Sequence, residues 1–164
     1  LYTESFRFNY SLQFIIAILI ILGGMGFPIV FNIFSFIRIK TTSLIAHIIK
    51  NPLPEAKTRI IQVNSKLALT TTIILLVIGF IAYFFFEYND SLKEHPTWVG
   101  KVVTSFFGSV TPRTAGFNTV DMTSLSMPII MIYLFLMWIG ASPSSTGGGI
   151  KTTTAAVAFL NLRV

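Results

Sequence analysis

Two short stretches carry residue types that could do chemistry: "SVTPRTAGFNTVD" at 109–121 and "GASPSSTGGGIKTTT" at 140–154. The second sets glycines ahead of Lys151 and Thr152. That is the order in which a phosphate-binding loop presents backbone N–H groups, a lysine and a hydroxyl. The pattern needs a glycine directly before the lysine, and Ile150 stands there. It also needs a preceding soluble strand, whereas this stretch follows the apolar "SMPIIMIYLFLMWIG" at 126–140. No acidic Mg²⁺ partner accompanies it, since Asp121 is the only carboxylate beyond Glu94. No Ser/His/carboxylate set supports hydrolysis, because His47 and His95 both lie in polar connections. What remains for Gly, Ser and Thr beside apolar chain is backbone chemistry: carbonyl oxygens offered to a ligand, or a segment that changes shape at little steric cost.

The composition says where that backbone sits. Of the 164 residues 53% are hydrophobic and 11% charged. A soluble domain carries about 25% charged residues, so the balance is that of a membrane protein. The chain has 16 Phe and no Cys, which excludes disulfides, thiolate metal sites and cysteine nucleophiles. The net charge of +6 does not point to nucleic acid. The basic residues concentrate between apolar runs, where membrane orientation accounts for them. The chain starts at Leu1 and reads as a piece of a longer protein, without the basic flank and cleavage site of a signal peptide.

Apolar runs divide the sequence. Residues 11–37 form an uncharged stretch, interrupted by Gly23, Gly24, Gly26 and Pro28. At 1.5 Å per residue it exceeds the roughly 30 Å hydrocarbon core, and the glycines read as a packing notch or kink. Residues 1–40 are assigned to a transmembrane helix and 41–66 to a cytoplasmic basic loop. Between 38 and 66, Arg38, Lys40, Lys50, Lys57, Arg59 and Lys66 face only Glu55, the signature of a cytoplasmic connection. "NPLPEA" at 51–56 is turn chemistry. Residues 67–86 make a second crossing, with Tyr83 and Tyr88 suited to its outer interface. The polar segment 87–96, with Glu87, Asp90 and Glu94 against Lys93, is external, and His95 is expected to be solvated. A helix over 97–110, ended by Pro112, is too short to cross. Two readings of 97–121 stay open, an outer loop or a segment that dips into the membrane and returns. The last run, 122–164, is broken by "GASPSSTGGG". Unpaired backbone groups cost several kcal/mol each in lipid, so this break must face water or packed protein. Lys151 either snorkels to the cytoplasmic face or pairs inside the protein.

With both glycine-bearing stretches in place, the chain resembles the Trk/Ktr/HKT superfamily of potassium and sodium uptake proteins, in particular the bacterial TrkH/KtrB-type membrane subunit. "LGGMGFPIVFN" at 22–32 resembles the end of a preceding repeat in that family. The resemblance implies an all-α membrane protein. Residues 67–164 would form one membrane–pore–membrane unit with a re-entrant pore helix and a broken final helix, one of four around a pseudo-fourfold pore. Residues 1–40 would hold the last helix of the unit before it. It implies a filter at 111–118, with Thr114, Ala115, Gly116 and Phe117 as the ion-binding turn and Arg113 and Asn118 as its support. Phe117 replaces the tyrosine of the usual potassium-channel filter. It implies an intramembrane gating loop of Gly140, Ala141, Ser142, Pro143, Ser144, Ser145, Thr146, Gly147, Gly148 and Gly149, with Lys151 beside it. Potassium would be the transported ion, with no other metal or cofactor held by this chain. The partners implied are the other pore units, a second copy in a homodimer, and a cytosolic nucleotide-binding regulatory ring of TrkA/KtrA type. The place implied is the plasma membrane of a bacterium, the inner one if Gram-negative. A non-transporting membrane scaffold and a nucleotide-binding membrane enzyme are the competing readings.

Overall fold

The computed structural model describes residues 4–48 and 63–162, and these are helical, with no strand among them beyond one isolated bridge between Ile139 and Ile150. The order is α1 (Glu4–Arg7), α2 (Tyr10–Met25), α3 (Phe27–Ile48), α4 (Val63–Phe86), α5 (Trp98–Thr114), α6 (Met127–Trp138) and α7 (Thr152–Asn161). Short 3₁₀ turns at Ser91–Glu94 and Met122–Ser124 enter α5 and α6.

The first apolar run is not one straight helix. Its helices α2 and α3 meet at a bend of 105°. The break is Gly26, at φ +77° and ψ +148°, a conformation open essentially to glycine alone. Pro28 then sits in the first turn of α3, where its missing N–H would be unpaired in any case. The expected basic loop is also shorter than 41–66. Helix α3 carries on to Ile48, with the Thr41 and Thr42 hydroxyls donating to the Arg38 carbonyl at 2.9 and 2.8 Å. Helix α4 begins before Lys66, and "NPLPEA" lies outside the described residues. Among the described residues one helix, Asn64–Phe86, is by itself long and apolar enough to cross a membrane.

Helix α5 runs past its expected stop at Pro112 to Thr114. Pro112 gives up the bond its N–H would make to residue 108 and crowds that carbonyl, but it stands two residues from the helix end, so little helix depends on it. The N–H groups of Ala115 and Gly116 both close on the Thr111 carbonyl, at 3.1 and 2.9 Å, so the last turn forms around it. This helix is the centre of the packing. A Cβ on Gly100 would lie 2.5 Å from the Tyr10 ring of α2, and one on Gly108 would lie 2.6 Å from the Tyr83 ring of α4. Absent side chains thus set both approaches, as small residues do between helices in lipid. Its buried Ser105 and Ser109 return their hydroxyl protons to Lys101 and Phe106 carbonyls, both at 2.7 Å, and so need no water. Tyr83, Leu92, Val120, Leu125, Ile129 and Tyr133 form one buried cluster around α4, α6 and their connections. Ala17, Phe107 and Val110 form a second, between α2 and α5.

Candidate functional site

The turn after α5 is built from a helix end. The last carbonyls of a helix lack internal partners, and its C-terminus carries roughly half a negative charge. Gly116 takes φ +66°, the left-handed value that lets the chain leave the helix abruptly. Thr111 organises the turn: its hydroxyl donates to the Phe117 carbonyl at 2.7 Å. A carbonyl oxygen has a second lone pair, so Phe117 keeps acceptor capacity. Thr111 and Pro112 are buried, whereas Thr114, Gly116, Phe117 and Asn118 are exposed on this chain. A Cβ on Gly116 would meet nothing within 4 Å. The turn is therefore fixed from behind by Thr111 and open in front.

Arg113 does not turn toward that open side. Its Nη2 donates to the Gly140 carbonyl at 3.3 Å, and its buried Nε has no hydrogen-bond partner among the described residues. Gly140 opens the irregular segment between α6 and α7. Neither helix is long: 12 and 10 residues give about 18 and 15 Å at 1.5 Å per residue. The segment between them is closed on itself. Gly140 N–H donates to the Ile150 carbonyl and Ile150 N–H to the Trp138 carbonyl, each at 3.0 Å. Ala141 N–H reaches the Gly148 carbonyl at 3.3 Å, and Thr152 N–H reaches that of Ala141 at 3.2 Å. Ser145 folds back on the Ser142 carbonyl with both its N–H and its hydroxyl. Lys151 pairs inside the protein, its Nζ on the Gly147 carbonyl at 2.7 Å. Gly140 is obligatory here, since a Cβ would stand 1.7 Å from the Gly148 oxygen. The loop thus meets much of its backbone polarity with its own groups, as a break in an apolar run must if it is not to face water.

A second glycine-rich break seats this loop. Ser142 N–H donates to the Gly24 carbonyl at 2.9 Å, and a Cβ on Gly26 would strike the Ser144 carbonyl at 2.8 Å. Gly23–Pro28 is thus both kink and packing notch: the two interruptions that the sequence shows more than a hundred residues apart lie against each other. The sequence carries no signal for that contact beyond glycine in both partners.

Two polar residues of the connection between α4 and α5 hold positions that sequence reasoning missed. Glu87, expected at the solvated edge of a span, is fully buried. Its carboxylate accepts from the Ser126 N–H at 2.8 Å and the Ser126 hydroxyl at 2.7 Å, a charged cap on the N-terminus of α6. His95, expected to be solvated, is 1% exposed. Its ring nitrogens lie 3.2 Å from the Tyr10 hydroxyl and 3.4 Å from the Thr104 hydroxyl, and Thr104 donates to Gln13. Burial holds the imidazole below its usual 6.5, helped by the positive charges of Arg7 and Lys101. Tyr83, expected at the interface, is likewise buried, its hydroxyl 3.3 Å from that of Ser91.

A glycine turn at a helix end and a closed loop between half-length helices describe a backbone site. Its kind is decided by comparison with known proteins. Residues 3–164 match the family model TrkH, described as a cation transport protein. The chain belongs to the TrkH family. It is 34% identical, over 94% of its length, to the potassium/sodium uptake protein NtpJ of Enterococcus hirae. To the Ktr system potassium uptake proteins B of Vibrio alginolyticus and Bacillus subtilis it is 33% and 37% identical, over 95% and 90%. The chain spans about 30% of the length of these relatives, which are covered over 30%, 31% and 29%. The family is described as one of cation transport proteins, not of enzymes, so the competing reading as a nucleotide-binding enzyme falls.

Proposed function

We propose that this chain is part of the wall of a monovalent-cation pore, with potassium as the ion. In this reading α5 is a re-entrant pore helix, and Thr114, Ala115, Gly116 and Phe117 line the filter. The observation that carries it is Gly116: left-handed, with open space in front and the negative end of a buried helix behind. Carbonyls presented from such a turn replace the water shell of a dehydrated cation. Asn118 borders the turn. The loop Gly140–Gly149, with Lys151 pinned to it, is the gate on the same path. Potassium and cation uptake in the names of the relatives supports the choice of cargo. Their length supports further pore units outside this chain, in a pseudo-fourfold arrangement. The name Ktr system supports separate components, for which we propose a second copy of the pore subunit and a cytosolic nucleotide-binding ring. The cell membrane of a bacterium is the place this requires.

The scaffold reading keeps one argument, that a left-handed glycine also ends ordinary helices. Substitution at Gly116 separates the two. Gly116→Ser puts an L-residue where the left-handed backbone costs roughly 1–2 kcal/mol and sends its side chain into the open side. In the full-length protein it is expected to insert normally, yet lower potassium affinity or potassium/sodium preference by tenfold or more. Uptake by cells lacking other potassium systems measures this. Gly116→Asn, which tolerates the left-handed region, preserves a mere helix cap. Unchanged uptake kinetics in both variants, at normal expression, would return Gly116 to the role of a cap.

A further inference from the structure

The end of α5 touches both candidate parts of the path. Thr111 fixes the Phe117 carbonyl on the filter side and accepts the Gly116 N–H. Two residues on, Arg113 donates to the Gly140 carbonyl of the loop. Thr114, the last helical residue, turns its methyl to the loop as well. That methyl would be 3.1 Å from a Cβ on Gly147 and 3.5 Å from one on Gly24. The loop has a second support on the α2–α3 break, through Ser142 N–H on the Gly24 carbonyl. Within the loop, Lys151 on Gly147 and the Ile139–Ile150 bridge close the two sides on each other, so the loop moves as a body. Arg113 is the side chain that spans from the filter helix to that body. Its charge has no use at a cation path except as a donor turned away from it, and it is turned to Gly140.

We infer that Arg113, with Thr114 packed beside it, is a positioning pair that couples the filter turn to the seating of the 140–149 loop. This rests on the permeation reading above. An ion held by the turn steadies the end of α5, and a steady end keeps Arg113 on the Gly140 carbonyl and the loop on Gly24. An empty turn lets the same helix end relax and loosens the loop. By linkage the effect is reciprocal: whatever unseats the loop weakens ion binding by the same factor.

The test uses the full-length protein, made free of cysteine apart from Thr146→Cys. Thr146 is exposed on the loop. The protein in liposomes is treated with a water-soluble maleimide in potassium and in choline buffers, and potassium flux is recorded in the same preparation. Potassium is expected to slow modification several-fold in the parent. Arg113→Gln is expected to speed it and to abolish the difference between the two buffers. Arg113→Lys, which keeps a donor, is expected to restore part of that difference. If Arg113→Gln does not fold, Thr114→Ser, which deletes only the packed methyl, is expected to reduce the potassium effect. A parent that conducts but whose introduced thiol reacts at one rate in both buffers overturns the coupling and leaves the permeation reading standing. So does a folded Arg113→Gln, or failing that a Thr114→Ser, with the parent's rates. A parent with no flux removes the permeation reading and the coupling with it.

Discussion

At the scale of single residues, chemistry here is done by polar groups whose burial decides their role. His95 shows the sign of the effect. Its folded value is pushed below 6.5 by burial first and by Arg7 and Lys101 second. The folded state therefore prefers the neutral ring, and the unfolded chain binds the extra proton. Stability from this site is present above about 6.5 and is lost as pH falls through the lowered value. The groups around the ring are Arg7, Glu94, Lys101 and the Tyr10 hydroxyl, with Arg7 paired to Glu94. The melting temperature of the purified full-length protein is expected to drop by a few degrees between about pH 7.5 and 5.5, on either side of the ordinary imidazole value. His95→Gln is expected to flatten that drop. Equal drops in both proteins would show that His95 carries no pH-dependent stability. None of this was legible in the sequence. Glu87 and His95 stand among Asn, Asp, Lys and Pro, and local polarity predicts solvation. Their partners, Ser126 and Tyr10, lie 39 and 85 residues away. The turn at Gly116 was legible, because a Thr-Ala-Gly run after an amphipathic helix has a local backbone logic that needs no distant partner.

At the scale of elements, hydropathy placed α4 and α6 because continuous apolar runs need no tertiary knowledge. The glycines of the first run marked its kink, where φ +77° takes Gly26 out of the helix. The place misjudged is the one where proline competes with packing. Pro112 fails to break α5, because buried neighbours and Thr111 hold the last turn. The loop at 140–149 was legible as a break, and its internal bonding was not. That bonding makes it a body with two supports, Gly24 and Arg113, and such a body can have a seated and a displaced arrangement. A partner can shift the balance between them only by interacting differently with each. Deleting Ser144–Gly149 removes the Lys151–Gly147 bond, the Ala141–Gly148 bond and the fit against Gly26. The seated arrangement then keeps only its end supports, Ser142 on Gly24 and Arg113 on Gly140, without the body they hold in place. Open probability in single-channel recordings of the full-length protein is expected to rise severalfold, with a smaller response to the cytosolic partner. A folded deletion mutant with the parent's open probability and partner response would strip the loop of its role as gate.

At the scale of the whole molecule, the exposed apolar surface and the charge distribution have to agree on one orientation in a bilayer. Phe85, Trp138 and Phe159 are 75%, 63% and 75% exposed, a poor surface for water and a suitable one for lipid or the remaining pore units. Orientation follows from the basic residues. The stretch from Arg38 to Lys66 holds Arg38, Lys40, Lys50, Lys57, Arg59 and Lys66 against Glu55. The connection between α4 and α5 carries an acidic excess, in which Glu87 is spent on α6 and Asp90 stays exposed. Positive charge favours the cytoplasmic side, so the orientation we propose turns the first connection to the cell interior and the second outward. In that proposed orientation the Gly116 turn lies nearer the outside and Lys151 nearer the cytoplasm, the order a filter above a gate would require. Burial also selects the reporters. Ser65 and Ser91 are buried and would react poorly from either side, whereas Thr42 and Asn89 are exposed. In a cysteine-free full-length protein, Asn89→Cys is expected to react with an impermeant maleimide on intact cells, and Thr42→Cys only after permeabilisation. The reverse pattern would invert the molecule in its membrane. The Gly116 turn would then face the cytoplasm, and an uptake filter could not lie there.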